Sequence, residues 1–300
     1  MAGVPAPRVF DRTLVRRRLR RALAGGYADF LIGRAVDDLD ARLATVLRLF
    51  PLAVDVGSPT AGVVRMLDAS GRADRVMRLA AAPNGEPAGT LVIGDEEALP
   101  FNEESFDLAV SLLALHGVND LPGALIQIRR ALKPDGLFLG CLLGGATLTE
   151  LRQSFAAAET ELEGGVSPRV APFADVRDLG NLLQRAGFAL PVTDVEPVTV
   201  RYADVFGLLR DLRAMGLANA LAERRKTPLR RTTLTRVAQV YAERFADADG
   251  RVRATFEIVW LSGWAPHESQ QKPLRPGSAK TRLADALGAT EHSPGETAGS

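Results

Sequence analysis

Four short segments bring acids, glycines and one histidine to the ends of apolar runs, where a polar ligand can be held. Val54-Asp55-Val56-Gly57 closes one run on an acid and a glycine. Gly94-Asp95-Glu96-Glu97 follows a second, Thr90-Leu91-Val92-Ile93. Phe106 to Ser111 is a third, with His116 shortly after it, and Leu132-Lys133-Pro134-Asp135-Gly136 leads into a fourth, Leu137 to Leu142. A carboxylate beside a glycine turn suits an amine or a pair of hydroxyls, because the acid accepts hydrogen bonds and glycine permits close backbone approach. Each residue also has a plainer reading. Asp55 either holds a ligand's amino group or caps its own turn. Asp95 and Glu96 either meet a ligand or cap a loop. His116 is either a general base or a packed residue at a rim. Cys141 lies inside an apolar run and reads as core. No Ser-His-Asp or Cys-His set assembles.

The runs that position these residues are short, continuous and apolar, and helical segments separate them. Such alternation predicts a parallel sheet covered on both faces. Helical spacing is expected over Arg12–Ala22 and over Ile32–Leu49, with Pro51 as the stop. It is expected again over Pro122–Leu132, Thr147–Glu163, Asp175–Ala186, Val205–Met215 and Leu234–Phe245. Val76–Leu79, Val192–Val200 and Thr255–Trp264 read as further strands. Residues 1–50 form an N-terminal helical segment, 51–265 the main domain with a helical insertion near 203–250, and 266–300 a polar tail, disordered from about Gly277.

Composition narrows the function classes. A formal net charge of +1 gives no reason to expect nucleic acid as a partner. One cysteine allows no disulfide within the chain, and His116, His267 and His292 are too scattered for a zinc site. No apolar run reaches the ~20 residues that span a bilayer. The N-terminus lacks the apolar core of a secretory signal, although its Arg-rich first residues, with Asp11 as the one acid, also fit a mitochondrial presequence. A cytoplasmic location is the expectation.

Together the four segments resemble the S-adenosylmethionine-dependent class I methyltransferases. The resemblance implies a Rossmann-like α/β fold with a mostly parallel seven-stranded sheet. It also implies that Asp55, Gly57 and Gly62 approach the methionine part of the cofactor, and that Asp95 and Glu96 meet its adenine, with His116 nearby. Phe10-Asp11-Arg12, Leu113 to Pro122, Gly144 to Leu148, Glu161 to Pro168, Pro172-Phe173 and Gly263 to Gln270 are similar to one subfamily. That group contains the mitochondrial complex I assembly factor credited with arginine hydroxylation; the malonyl-acyl-carrier methyltransferase of biotin synthesis is more distant. It implies an assembly role on a protein partner such as a subunit of the respiratory NADH dehydrogenase. His267 and Gln270 read as a contact specific to that group.

Two departures bear on the cofactor. The family loop is acid-x-Gly-x-Gly-x-Gly, whereas this chain has Asp55-Val56-Gly57-Ser58-Pro59-Thr60-Ala61-Gly62. Proline fixes φ and offers no N–H. About 20 residues further on, where an acid pairs with ribose hydroxyls, the chain reads Leu79-Ala80-Ala81-Ala82-Pro83-Asn84, with Asn84 the nearest polar side chain. Both departures weaken S-adenosylmethionine binding, which leaves a silent binding module or a small-molecule methyltransferase as the alternatives.

Overall fold

Strand β1 (Phe50–Val56) lies at the centre of the sheet because its residues from Ala53 onward are buried on both faces. It pairs in parallel with β2 (Ala73–Ala80) on one side and β4 (Phe106–Leu112) on the other. Every residue of β4 is buried, which is why that run is apolar without alternation. β3 (Thr90–Ile93) extends the sheet beyond β2, and β5 (Leu132–Leu143) pairs in parallel with β4. Antiparallel β7 (Val252–Trp264) and β6 (Ala189–Tyr202) complete the order β3-β2-β1-β4-β5-β7-β6. The expected seven-stranded, mostly parallel sheet is therefore present. This computed structural model describes residues 8–81 and 88–270. Asn84 and the residues from Gly277 onward, for which substitution and disorder were expected, lie outside the described residues.

Helices cover both faces. On one, α4 (Leu121–Ala131) and α6 (Val176–Arg185) send Leu125, Ile128, Leu179 and Leu183 against Val54, Val56 and Phe138. On the other, α2 (Phe30–Ala44) and α3 (Gly62–Ser70) bury Leu39, Leu43, Val63 and Leu67 against Ala53, Leu108 and Val110. α5 (Thr149–Glu163), α7 (Val205–Ala214) and α8 (Arg231–Phe245) build a third core around Phe155, Leu208 and Tyr241; α7 and α8 lie between β6 and β7 in the chain. α1 (Arg12–Ala24) begins at Asp11, whose carboxylate accepts from the Leu14 amide at 3.0 Å.

Two expectations are corrected. α2 ends at Ala44 rather than Leu49: Phe50, which fitted the helical spacing, opens β1 fully buried, while Leu47 is 99% exposed. Pro51 thus sits at the start of a strand, a position that tolerates proline. The turn at 133–136 is a bulge within β5, where Phe106 faces Leu132 but Leu108 already faces Leu137. Lys133 from that bulge grips Asp107 at 3.0 Å, and Asp107 in turn accepts from the Leu52 amide. These residues stand at the amino ends of β4 and β5, away from the carboxyl edge where ligands bind.

Residues up to Pro266 form one unit, and His267 opens a second. Its described part is a turn closed on itself: His267 Nδ1 meets Ser269 Oγ at 2.7 Å, and the His267 amide donates to Gln270 Oε1.

Candidate functional site

The strand order reverses between β1 and β4, so the crevice at their carboxyl ends is the place for a ligand. The loop after β1 is stitched down on both sides. The Gly57 amide donates to Leu79 O at 3.0 Å, Ser111 Oγ donates to Val56 O at 2.7 Å, and Leu112 N donates to Ser58 Oγ at 3.0 Å. Gly57 has φ +78°, and a Cβ there would lie 2.7 Å from Glu96 Cγ. Glycine is required at this point because the Glu96 side chain lies directly over it.

Asp55 is fully buried, with Ser58 and Arg78 as the polar groups that act on its carboxylate. It faces Arg78, its register partner on β2, with Nε 3.6 Å from Oδ2. Arg78 is equally buried and donates to Ser58 O at 3.0 Å. Burial pushes the Asp55 carboxyl up to about 6 against the pull of Ser58 and the Arg78 charge. The pair tucks a guanidinium beneath the glycine turn.

The acids after β3 are also engaged. Arg12 of α1 contacts Asp95 at 2.7 Å, Glu96 in a short hydrogen bond, and Glu97 at 3.7 Å, while its Nη1 donates to Gly117 O at 2.9 Å. Arg16 takes the second oxygen of Asp95. Burial alone would raise the Asp95 carboxyl, but the Arg12 hydrogen bond, the Glu97 amide and the Arg16 contact hold it down at about 2. Asn119 completes the latch, accepting from the Phe10 amide at 2.7 Å and donating back to Phe10 O.

Gly57, Glu96 and His116 line one small cavity of about 70 Å³, together with Arg12, Tyr27 and Pro59. Asp55 and Asp95 stand behind its wall. Gly62 starts α3 and packs toward Val36 of α2, where a Cβ would come within 3.0 Å. His116 also lines a second, apolar chamber of about 430 Å³ under α5, α7 and α8. Its ring meets Phe173 edge-on at 5.9 Å, and Nδ1 is buried without a hydrogen-bond partner. Burial pushes the imidazole down to about 4. His116 is thus neutral at pH 7, and its resonance should titrate near pH 4 in an NMR series. The unfolded chain takes up that proton first, near 6.5, so this group lowers stability as pH falls from about 6.5 towards 4. Titration near 6.5 in the folded protein would contradict the burial.

Side chains occupy much of the crevice where the resemblance places S-adenosylmethionine. Ligand sites commonly offer roughly 300–1,000 Å³, several times the cavity at the glycine turn. Glu96 covers Gly57, Arg12 and Arg16 occupy the adenine-side acid, and β2 offers Arg78 rather than a free acid beside the loop. Sequence reasoning found the altered loop but missed these arginines. The signal was present in Phe10-Asp11-Arg12, a motif whose place in the site is set by contacts with residues some eighty positions away.

The segment from Glu161 to Pro168, similar to the subfamily, and the Glu159 just before it make contacts within the fold. Glu161 pairs with Arg236 at 2.8 Å, Glu163 accepts from Thr233 Oγ1 at 2.7 Å, and buried Glu159 holds the Ser167 amide and Arg169. The Glu161 and Glu163 contacts clamp α5 to α8, and Glu159 ties α5 to the loop that follows it.

Residues 53–140 match the family model described as a methyltransferase domain. The YcgJ protein of Bacillus subtilis shares the fold at 14% identity and a TM-score of 0.52, covering 78% of this chain and 99% of its own. Among curated proteins, the mitochondrial arginine-hydroxylase NDUFAF5 of Danio rerio is 42% identical over 92% of this chain and 89% of its own length. The chain belongs to the NDUFAF5 family. The malonyl-[acyl-carrier protein] O-methyltransferase of Laribacter hongkongensis is 35% identical over 89% of this chain and 94% of its own. The NDUFAF5 relatives from fish, human and mouse are named mitochondrial proteins, which overturns the expected cytoplasmic location. Among the described residues no helix is long and apolar enough to cross a membrane.

Proposed function

We propose that this protein is a methyltransferase-fold assembly factor acting on a protein partner, a subunit or assembly intermediate of the respiratory NADH dehydrogenase. The observation that carries this reading is the reach of the NDUFAF5 similarity. It extends over 92% of the chain, far beyond residues 53–140 of the methyltransferase domain. The latch ties Phe10 and Arg12, outside that domain, to Asn119 and Gly117 within it, and the α5–α8 clamp lies wholly outside it. Deleting the gene should lower the level of assembled NADH dehydrogenase, and the intact gene should restore it. Unchanged complex in the deletion strain would reject the partner reading.

A second reading concerns how the protein works, and the filled cofactor crevice favours it. With Arg12 and Arg16 on Asp95, and Arg78 against Asp55, the partner role runs without methyl transfer. Binding then depends on shape and a few anchors. Calorimetric titration of the purified protein with S-adenosylmethionine should show no binding in the micromolar range. The Pro59→Gly, Ala61→Gly double variant should show none either, since it leaves the arginines in place. Micromolar binding by the unaltered protein would restore the enzyme reading.

A further inference from the structure

Four arginines converge on a surface groove of about 530 Å³ between α1 and α7: Arg18, Arg21, Arg210 and Arg213. None has an ion-pair partner among the described residues, in a protein whose other arginines pair repeatedly with acids. The guanidiniums are held together by the fold. Arg18 Nη1 donates to Ala218 O at 2.5 Å, and burial with the neighbouring Arg224, Arg17 and Arg21 charges lowers its pKa from the ordinary value. Clustered cations without acids are costly unless an anion joins them.

The groove does not end at the surface. Arg213 and Ala218 line both this groove and the apolar chamber of about 430 Å³. That chamber is walled by Leu148, Phe155, Phe173, Leu212, Leu217 and Leu234, and its volume is within the range of small-molecule sites. At its inner end stands His116 with a buried, unpartnered Nδ1. Apart from Arg169, which is paired with Glu159, the charged side chains of groove and chamber stand at the mouth, and the rest of the chamber is mainly apolar.

We propose that groove and chamber form one binding site for a single-chain amphiphile with a phosphate head. The chain enters the chamber beneath α5, α7 and α8, and the phosphate meets the arginines between α1 and α7. Phosphate suits the mouth because its three acceptor oxygens match several guanidinium forks at once. The chamber adjoins the cavity at the glycine turn, sharing His116, Gly117 and Leu143 with it, and the proposal does not depend on the assembly role.

The full-length protein should be titrated with dodecyl phosphate, inorganic phosphate and a neutral dodecyl glycoside. Dodecyl phosphate should bind one to one and at least about tenfold more tightly than either comparison compound, as one charge-assisted contact implies. Arg210→Glu with Arg213→Glu, both exposed and without acid partners, should weaken it by about a hundredfold while leaving thermal unfolding unchanged. Leu234→Trp should fill the chamber and abolish dodecyl phosphate binding while inorganic phosphate still binds weakly. Lysophosphatidate below its micelle concentration and phosphatidylglycerol vesicles separate a monomeric ligand from a bilayer surface. Binding of vesicles alone, unaffected by Leu234→Trp, would overturn the proposal. So would equal affinity for inorganic and dodecyl phosphate, or no binding of dodecyl phosphate by the unaltered protein.

Discussion

Replacing Arg78 by methionine should destabilise the protein more above about pH 6 than below it, where only its hydrogen bond to Ser58 O and its packing are lost. Methionine keeps most of the apolar volume but removes the charge 3.6 Å from Asp55. Asp55 is fully buried, and besides Arg78 only Ser58 acts on its carboxylate. Its carboxyl already stands at about 6, above the unfolded value of about 3.9. A raised carboxyl costs stability as pH climbs from the unfolded towards the folded pKa, because the folded state retains a proton that the unfolded state releases. Without Arg78 the folded pKa rises further. Below about pH 6 both proteins carry a neutral Asp55 and differ little in this respect. Above it the variant should fall behind by about 1.4 kcal/mol per pH unit until its own pKa is passed. A total near 3 kcal/mol at pH 8 accords with the loss of one partner from a buried ion pair. Urea unfolding of both proteins at pH 5 and pH 8 measures this. An equal loss at the two pH values would mean that Arg78 acts through packing, with its charge irrelevant.

The buried pair also marks the limit of what sequence could reveal. The strands were legible because buried parallel strands are apolar throughout, and β4 is the extreme case. The β1 turn was legible from Asp55 and Gly57, yet the residue that fills its underside is an arginine inside a run that looked like a weak strand. Only the register, which sets Asp55 opposite Arg78, shows that the two meet. Pro59 and Ala61 advertised an altered loop. They did not say that Glu96 covers Gly57 or that Arg12 holds Glu96 there. Arg12–Ala22 read simply as an arginine-rich helix, because composition cannot distinguish Arg12, with 14% of its side chain exposed, from Arg17 in solvent. The segments from Phe10 to Arg12 and from His116 to Asp120 each looked like isolated matches. Their common purpose appears only when Phe10 bonds Asn119 and Arg12 bonds Gly117.

Arg12→Ala should cost about 3 kcal/mol at pH 7, towards the lower end of the range for truncating one member of a buried, hydrogen-bonded charge cluster. One guanidinium holds Asp95, Glu96 and Glu97 as well as the Gly117 carbonyl. Its removal leaves three acids facing each other with Arg16 as the nearby cation on Asp95. The wild-type contribution has a defined pH window. Asp95 is held at about 2, so its share is present above the unfolded value of about 3.9 and disappears as pH falls through 2. The gap between wild type and variant should therefore be widest near neutrality and close progressively below about pH 4. Arg16→Ala is the control: it is more exposed, touches Asp95 without Glu96, and should cost less than about 1 kcal/mol. Hydrogen exchange should rise across α1 in Arg12→Ala and change little in Arg16→Ala. Equal effects of the two substitutions would dissolve the latch into general surface electrostatics. The same variant separates blockage by α1 from blockage built into the sheet. Arg78 still lies beneath the glycine turn when Arg12 is gone. Arg12→Ala should therefore still bind no S-adenosylmethionine at micromolar concentrations. If it did bind, α1 would be the gate to a working cofactor site.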